Sequence, residues 1–208
     1  MLRVLITGSN GFVAQNLIHH LKEFDDIEII TLSKEKNIND VLVHNHGVNC
    51  VFHLAGVNRT DNNSDFKKVN QGLTQSLCDL LTKSKRKIPI IFSSSTQVKE
   101  QNDYGRSKLS AEKIINEYSK ITGSSVYIYR FPGLFGKWCK PYYNSVVATF
   151  CNNVANNLPI EIRDSEYEIK LMYIDDVINE FLSVLFQKTS SPGLENIPLY
   201  KISLGKLA

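Results

Sequence analysis

Short apolar runs alternate with amphipathic segments along the first 130 residues. The apolar runs predict strands over residues 2–6, 27–32, 50–54, 88–93 and 125–130. Segments with helical spacing of apolar residues predict helices over 11–24, 65–82 and 104–121. Strands that alternate with helices are typical of βαβ units, and continuously apolar strands are typical of a sheet covered on both faces. We therefore predict an α/β fold of Rossmann type, built on a doubly wound parallel sheet.

The pattern changes after residue 130. A loop rich in glycine, proline and aromatic residues over 131–143 leads into a predicted helix at about 144–156. Two short strands and a helix over 175–186 are expected to follow. We interpret 1–130 as the Rossmann domain and 131–208 as a smaller substrate-binding lobe.

Composition is that of an ordinary globular protein. Hydrophobic residues make up 42% of the 208 residues and charged residues 22%, which excludes a disordered chain. The net charge of +3 is too small to indicate binding to nucleic acid or to a membrane surface. The apolar runs are far shorter than the ~20 residues that span a bilayer, and the N-terminal run is too short for a signal peptide. We expect a cytoplasmic protein.

Cysteine and histidine spacing gives no sign of a metal site. The four cysteines stand far apart without a C-x-x-C pair, as expected of reduced thiols. His44 and His46 have no third ligand nearby in the sequence, so no metal is predicted. The basic run at 83–87 follows a predicted helix end, where the helix dipole favours cations, and is not interpreted as a nucleic-acid site.

A glycine turn follows the first strand, in Thr7-Gly-Ser-Asn-Gly-Phe-Val-Ala14. Glycines three residues apart permit a sharp turn and a close approach of the backbone to a phosphate. The helix that follows adds partial positive charge at its N-terminus. This G-x-x-G-x-x-A spacing, between a strand and an amphipathic helix, predicts a dinucleotide site. The alternative is a tight strand-to-helix turn without a ligand.

The end of the second strand bears on the choice between NAD and NADP. An acidic residue there would bind the adenosine ribose and repel a 2′-phosphate. In this chain Ser33 and Lys34 come first, and the first acid is Glu35. We favour NADP, with Ser33 and Lys34 as the phosphate site, beside the alternative of a solvated lysine at a loop start.

A tyrosine and a lysine four residues apart open the last helix of the predicted Rossmann domain. Tyr104 and Lys108 share one helix face, so the ammonium can stabilise the phenolate and lower a pKa that starts near ~10. Such a tyrosine can exchange protons near neutral pH. The serines at 93–95, at the preceding strand end, could hold a substrate carbonyl.

With these motifs in this order, together with His53-Leu-Ala-Gly56, the chain resembles the extended short-chain dehydrogenase/reductase superfamily. The resemblance implies that Tyr104 is the general acid/base and that Lys108 lowers its pKa and binds the nicotinamide ribose. It gives Ser95, with Ser94 as second choice, the role of polarising the carbonyl. It also implies a structural role for Asn70 between the strands. The cofactor-binding residues it implies are Gly8, Asn10, Gly11, Phe12, Val13, Leu54, Ala55, Gly56, Asn70, Tyr104, Lys108 and Phe131.

A narrower resemblance rests on His53-Leu-Ala-Gly-Val-Asn-Arg59 and on the unusual Gly-Lys-Trp-Cys-Lys-Pro run at 136–141. Both are similar to the bifunctional capsule and O-antigen enzymes of UDP-N-acetyl-L-fucosamine synthesis. The resemblance implies NADPH-dependent reduction of the 4-keto group of a UDP-linked 2-acetamido-2,6-dideoxy-hexulose. It implies substrate contacts from Arg59, Lys137, Trp138, Lys140 and Asn144. A UDP-sugar is the expected partner, and a homodimer is compatible with the resemblance.

The chain departs from that pattern in two places, and a third feature narrows the chemistry. The family continues past residue 208 into more of the lobe and a zinc-binding cupin, so we expect a truncated lobe and no epimerase activity from a cupin. Gly133 stands where relatives place an asparagine, whose loss would weaken binding of the sugar or cofactor. Thr96 and Gln97 follow Ser95 where dehydratases carry an acidic pair, which disfavours dehydration.

Two alternatives use the same residues. One is a nucleotide-sugar 4-epimerase that retains tightly bound NAD. The other is a dinucleotide-binding remnant or regulatory module without a competent sugar lobe.

Overall fold

The structure is a computed structural model that describes residues 1–44, 47–60, 62 and 65–208, without the side chains of residues 43 and 44. The chain divides into two compact units, Met1–Arg130 and Phe131–Ala208.

The first unit is built on a five-stranded sheet. Its strands are β1 (Leu2–Thr7), β2 (Ile27–Leu32), β3 (Cys50–His53), β4 (Ile90–Ser95) and β5 (Val126–Phe131), in the order β2-β1-β3-β4-β5. The pairs β1/β2, β1/β3 and β3/β4 are parallel, and Thr7 lies opposite His53 in the register. This arrangement confirms the predicted Rossmann-type parallel sheet.

In the described part of the first unit, four α-helices connect these strands. They are α1 (Phe12–Leu21), α2 (Ile38–His44), α3 (Leu73–Lys83) and α4 (Asp103–Thr122). A 3-10 turn, Thr96–Lys99, precedes α4. Helix α4 begins where the Asn102 side chain accepts a hydrogen bond from the Gly105 N–H at 2.7 Å, and it ends at Gly123, whose positive φ of 68° provides a left-handed cap.

The core of the first unit lies where α3 and α4 pack on the sheet. Apolar strand side chains meet apolar helix side chains in one buried cluster, which includes Leu5, Val51, Ile90, Phe92, Leu77, Leu81 and Ile115. Burial of these side chains is the main driving force that holds the helices on the strands.

The helix predicted over 65–82 is not a regular α-helix. Residues Phe66–Gly72 form a π-helical segment, which continues into α3. Consequently Asn70, Thr74 and Cys78 are buried, whereas the apolar side chains of Val69 and Leu73 are only half-buried. The cause is polar: Asn70 and Thr74 form internal hydrogen bonds that hydrophobic periodicity does not register. The seven-residue helix α2 was not predicted at all.

The second unit holds a three-stranded sheet in the order β6-β7-β8. Its elements are β6 (Gly133–Phe135), α5 (Val146–Ala155), β7 (Glu168–Tyr173), α6 (Ile174–Leu185), a 3-10 turn (Leu194–Asn196), β8 (Tyr200–Ser203) and α7 (Leu204–Leu207). Strands β6 and β7 are parallel, and β7 and β8 are antiparallel. The apolar face of α6 is buried, and Phe181 on it stacks edge-on against Phe131 with ring centroids 6.0 Å apart.

Two expectations for this unit were wrong. Strand β6 lies in the stretch predicted as loop, and only one of the two strands predicted before α6 is formed there, since β8 follows the helix. Gly133 explains part of this: a Cβ at this position would lie 3.0 Å from Leu171 Cδ2, so glycine lets β6 approach β7 closely.

No helix in the part of the chain that the structure describes combines the length and the apolar character needed to cross a membrane. All four cysteines are free, and burial raises the pKa of the Cys50 thiol to about 12.

Candidate active site

The strand order reverses between β1 and β3, so the loops after these two strands leave the sheet side by side. In parallel α/β sheets ligands bind outside the carboxyl ends of the strands at such a reversal. Gly8, after β1, has a φ of +68°, and a Cβ there would lie 2.6 Å from Ala55 Cα. Glycine is therefore required for the two loops to touch.

The glycine turn presents backbone N–H groups at the start of α1. The Gly8 N–H donates to Leu32 O at the end of β2, and the Gly11 N–H donates to Gly8 O, both at 2.8 Å. Helix α1 begins at Gly11 without a side-chain cap and without an acidic residue in its first turn. Its first-turn amides, including those of Phe12 and Val13, have no partner within the helix. These features fit an anionic group such as a dinucleotide pyrophosphate.

The loop after β3 adds an acceptor. Asn58 Oδ1 is a buried side-chain oxygen that has no hydrogen-bond partner among the described residues. A ligand hydroxyl or N–H could satisfy it, which further fits a bound cofactor or substrate.

Behind these loops, His53 joins three elements. Its Nδ1 lies 2.7 Å from Thr7 Oγ1 on β1, and its Nε2 lies 2.8 Å from Thr74 Oγ1 on α3. The Thr74 hydroxyl donates to Asn70 O, so it must accept from His53 Nε2–H. The Thr7 hydroxyl in turn donates to Nδ1 and accepts from the Ala55 N–H at 3.1 Å. His53 is therefore a neutral imidazole protonated at Nε2.

The electrostatics of His53 agree with this tautomer. The side chain is 1% exposed, and its burial, with a smaller contribution from the charge of Lys108, lowers the pKa of His53 to about 3. His53 therefore stays neutral over the whole physiological range and is unsuited to acid/base work.

Asn70 connects the β3 loop to α4. Its Oδ1 accepts from the Val57 N–H at 2.8 Å, and its Nδ2 donates to Val57 O at 3.0 Å and to Ser107 Oγ at 2.9 Å. The Ser107 hydroxyl donates to Tyr104 O at 2.7 Å. The asparagine thus mimics a backbone partner for the loop and ties it to the first turn of α4.

Tyr104 and Lys108 lie one turn apart on α4. Tyr104 is half-buried, with its ring 6.0 Å from that of Phe66. Lys108 is 4% exposed; its Nζ donates to Ser93 O at 2.8 Å and lies 4.8 Å from the centre of the Phe92 ring. Burial lowers the pKa of Lys108 to about 8, against the opposing charge of Glu112.

Gly56 lies directly against that lysine. A Cβ at Gly56 would be 2.9 Å from Lys108 Nζ and 3.3 Å from Asn70 Oδ1, so a side chain here would displace the ammonium.

The two serines at the end of β4 differ in their partners. Ser94 Oγ donates to Glu112 at 2.5 Å and is committed to the interior. Ser95 Oγ accepts from the Gln97 N–H at 3.2 Å as the cap of the 3-10 turn.

The end of β2 has a carboxylate that the sequence interpretation placed outside the site. The Ser33 hydroxyl forms a hydrogen bond with Glu35, and this bond is the main cause of the lowered pKa of the Glu35 carboxyl. Lys34 is exposed, and Asn10, in the glycine turn, accepts at its backbone oxygen from Gln15 Nε2 at 3.0 Å.

The predicted substrate residues are all exposed. Arg59 lies in the first unit, and Lys137, Trp138, Lys140 and Asn144 in the second. The Lys137 ammonium lies 4.3 Å above the Trp138 ring, and Trp138 has a positive φ of 69°. The Phe131 side chain, predicted at the cofactor, is 4% exposed in the second unit beside Phe181.

Sequence reasoning missed four residues at this site: Thr7, Thr74, Glu112 and Arg130. The spacing of Lys108 and Glu112, which places them on one helix face, was the available signal for Glu112. Thr7, Thr74 and Arg130 lie 46, 21 and 18 positions from their partners, so these pairings leave no local pattern in the sequence.

Of the two histidines considered as metal ligands in the sequence, His46 lies outside the described residues, as does the His44 side chain. Within the described ranges, no three His, Cys, Asp or Glu side chains are grouped as metal ligands.

A glycine turn at the reversal point of a parallel sheet, followed by a tyrosine–lysine pair on α4, defines a Rossmann-type nucleotide-binding protein. The sequence profile of the NAD dependent epimerase/dehydratase family matches residues 4–197, and the chain belongs to this family.

Three known proteins are similar to this chain in sequence, in fold or in both. The chain is 43% identical over its full length to the UDP-2-acetamido-2,6-beta-L-arabino-hexul-4-ose reductase of Pseudomonas aeruginosa. Capsular polysaccharide assembling protein CapF from Staphylococcus aureus superposes on 98% of the chain with a TM-score of 0.84 and 36% identity. The chain spans 56% of each of these proteins. UDP-glucuronic acid 4-epimerase from Bacillus cereus, in complex with NAD, shares the fold at 17% identity, with a TM-score of 0.82, over 98% of this chain and 81% of its own.

Replacing Gly8 by alanine tests the contact between the two loops. Gly8→Ala forces a Cβ into the Ala55 backbone and a left-handed φ onto a residue that resists it, so we expect a loss of more than about 1–2 kcal/mol in the free energy of unfolding. Gly72→Ala is the matched control, because Gly72 has a helical φ of −65° and an added Cβ would meet Lys67 O at an ordinary contact distance of 3.8 Å. Urea unfolding measures both variants, and equal stabilities would contradict the account.

Replacing His53 by glutamine tests its role in acid sensitivity. Because the folded pKa is about 3 and the unfolded one about 6.5, the unfolded chain binds the additional proton between these values. Stability therefore falls as the pH drops from 6.5 to 3, by on the order of 4 kcal/mol from this group. The slope of unfolding free energy against pH should be shallower in His53→Gln than in the parent. The exposed-histidine variant His19→Gln is the control, and parallel slopes for parent and His53→Gln would refute the assignment.

Proposed function

We propose that this chain is the reductase unit of a UDP-sugar enzyme. It would reduce, with NADPH, the 4-keto group of a UDP-linked 2-acetamido-2,6-dideoxy-hexulose. The observation that carries the proposal is the Tyr104–Lys108 pair beside the glycine-turn crevice, in a chain 43% identical to a protein named as a UDP-hexul-4-ose reductase. The activity of the whole relative is carried over to this shorter chain as part of the proposal.

Tyr104 would deliver the proton to the sugar oxygen. It lies in the first turn of α4, where Asn102 and Ser107 fix the backbone. Lys108, on the same face, brings a buried ammonium near the phenol, which lowers the pKa of a tyrosine. When bound, the reduced nicotinamide supplies the hydride that the carbonyl carbon accepts. The result is an alcohol, with the proton on oxygen drawn from Tyr104.

Ser95 would hold the carbonyl oxygen. The partners of the two serines favour it over Ser94, whose hydroxyl is occupied by Glu112. Ser95 stands at the end of β4, two residues after Ser93, whose carbonyl accepts from Lys108 Nζ.

The cofactor would lie across the ends of β1 and β3. The backbone amides of Gly11, Phe12 and Val13 would receive the pyrophosphate, with Gly8 and Asn10 shaping the turn. Leu54, Ala55 and Gly56 would line the path toward the nicotinamide ribose, where Lys108 would donate to a hydroxyl.

The substrate diphosphate and uracil need cations and an aromatic surface. Arg59, Lys137 and Lys140 carry the cations, Trp138 offers an exposed ring, and Asn144 offers an amide. We assign these five residues to the substrate.

NADPH is the preferred cofactor in this proposal, and Lys34 and Glu35 set the preference in opposite directions. Lys34→Ala should weaken NADPH binding by roughly fivefold, the effect of about 1 kcal/mol from an exposed charge pair. Glu35→Gln should tighten it, because the carboxylate at Ser33 repels a 2′-phosphate. NADH binding should change in neither variant.

Titration by nicotinamide fluorescence measures these affinities, with Lys36→Ala as the control for a neighbouring exposed lysine. Equal losses for the two lysine variants, or equal effects on NADH, would reject Ser33 and Lys34 as the phosphate site.

The proposed reaction is tested with Tyr104→Phe. This variant keeps the ring but lacks the proton donor, so NADPH should bind normally while keto-sugar-dependent NADPH oxidation falls at least about 100-fold. Tyr127→Phe, on β5, is the matched control and should react like the parent. A Tyr104→Phe enzyme as fast as the parent would remove Tyr104 from the mechanism. Net oxidation of NADPH by the parent also excludes the epimerase alternative.

A further inference from the structure

Glu112 is a buried carboxylate that the proposed reaction does not use. It is 3% exposed and accepts three hydrogen bonds: from Ser94 Oγ at 2.5 Å, from Arg130 Nε at 2.9 Å and from Arg130 Nη2 at 2.6 Å. Removing a carboxylate from water is costly, and a buried ion pair often stabilises a fold no better than apolar side chains would. Its placement therefore calls for an explanation other than stability.

The cluster of Ser94, Glu112 and Arg130 ties β4, α4 and β5 together next to the candidate catalytic residues. Ser94 stands between Ser95 and Ser93, and the Ser93 carbonyl accepts from Lys108 Nζ. Helix α4 therefore binds the end of β4 twice, once through Lys108 and once through Glu112. These two bonds fix the positions of Ser93 and Ser94, the residues directly before Ser95.

Glu112 also lies one helical turn beyond Lys108, so its charge acts on the ammonium. The other groups that face Lys108 carry little negative charge. They are Tyr104 on its own helix, the Phe92 ring and Ser93 carbonyl on β4, the neutral His53 on β3, and the β3 loop at Gly56. Arg130 of β5 acts through Glu112. Burial favours the uncharged lysine, and the carboxylate opposes this.

We propose that Glu112, clamped by Arg130 and Ser94, is a positioning residue that keeps Lys108 protonated beside Tyr104 and holds Ser95 in place. The inference rests on the proposed function, because it gives Glu112 a task only if Tyr104 and Lys108 form the catalytic pair.

Two substitutions of opposite charge effect separate this role from a structural one. Glu112→Gln removes a negative charge. Without that charge the deprotonated forms of Tyr104 and Lys108 become more favourable, so the pKa of either group falls. The alkaline limb of the activity profile should therefore move to lower pH by about one unit, whichever member of the Tyr104–Lys108 pair titrates. Arg130→Met removes a positive charge and should move the limb to higher pH, by less because this side chain is 43% exposed.

The control is the Arg3–Glu28 pair, which joins β1 to β2 through the same two-bond geometry at 2.8 and 2.9 Å. Glu28→Gln should leave the limb in place. If Glu112→Gln and Arg130→Met lower only the melting temperature and the turnover rate, with the limb fixed, the cluster is merely structural and the proposal is wrong.

A second readout does not depend on turnover. NMR of ¹⁵N-labelled lysine side chains, with the Lys108 signal assigned by Lys108→Met, measures the Lys108 pKa directly. The pKa should be lower in Glu112→Gln than in the parent, and an unchanged value would overturn the inference. If Glu112→Gln lowers the Lys108 pKa but the parent protein never oxidises NADPH with the keto-sugar, the proposed function is rejected. The electrostatic role of Glu112 would then still stand.

Discussion

The candidate site depends on the two hydrogen bonds made by the neutral imidazole ring of His53. Its two ring nitrogens join Thr7, at the end of β1, to Thr74, at the start of α3, across the end of β3. Each of the three elements carries part of the site: the glycine turn follows Thr7, the loop at Gly56 follows His53, and Asn70 accepts from Thr74. Each donor in this series of hydrogen bonds has one acceptor, so the direction of each bond is fixed. The bonds also fix the spacing of β1, β3 and α3.

The hydrogen-bond network continues from His53 to the proposed catalytic side chains on α4. Asn70 binds both backbone groups of Val57 and, through Ser107, the first turn of α4. The π-helical segment turns Asn70 inward so that it can do this, and Gly56 leaves the space that the Lys108 ammonium fills. A polar network in which all members are satisfied rigidifies its surroundings, whereas an unpaired buried member would be costly. The buried oxygen of Asn58, which has no partner in the described part of the chain, stands out against this pattern and lies in the loop that a ligand would approach.

Much of this arrangement could be predicted from the sequence. Strand positions followed from apolar runs, since β2 matches the predicted 27–32 and the other strands of the first unit differ by one or two residues at their ends. The glycine turn and the spacing of Tyr104 and Lys108 are local patterns, which can be recognised in the sequence without knowledge of the fold. The π-helical segment, the His53 bonds and the clamp on Glu112 depend on contacts between distant residues, which periodicity cannot reveal. In the second unit, β6 depends on the close approach of Gly133 to β7, and a loop-like composition concealed it.

The reductase assignment is tested most directly by tracing hydrogen. The chain is incubated with NADPH deuterated at the transferable C4 position of the nicotinamide and with the UDP-linked 4-keto sugar, and the product is analysed by NMR and mass spectrometry. The account predicts one deuterium at C4 of the sugar alcohol for each NADPH oxidised. A sugar that changes configuration without gaining deuterium, or NADPH that binds and is never oxidised, would contradict it.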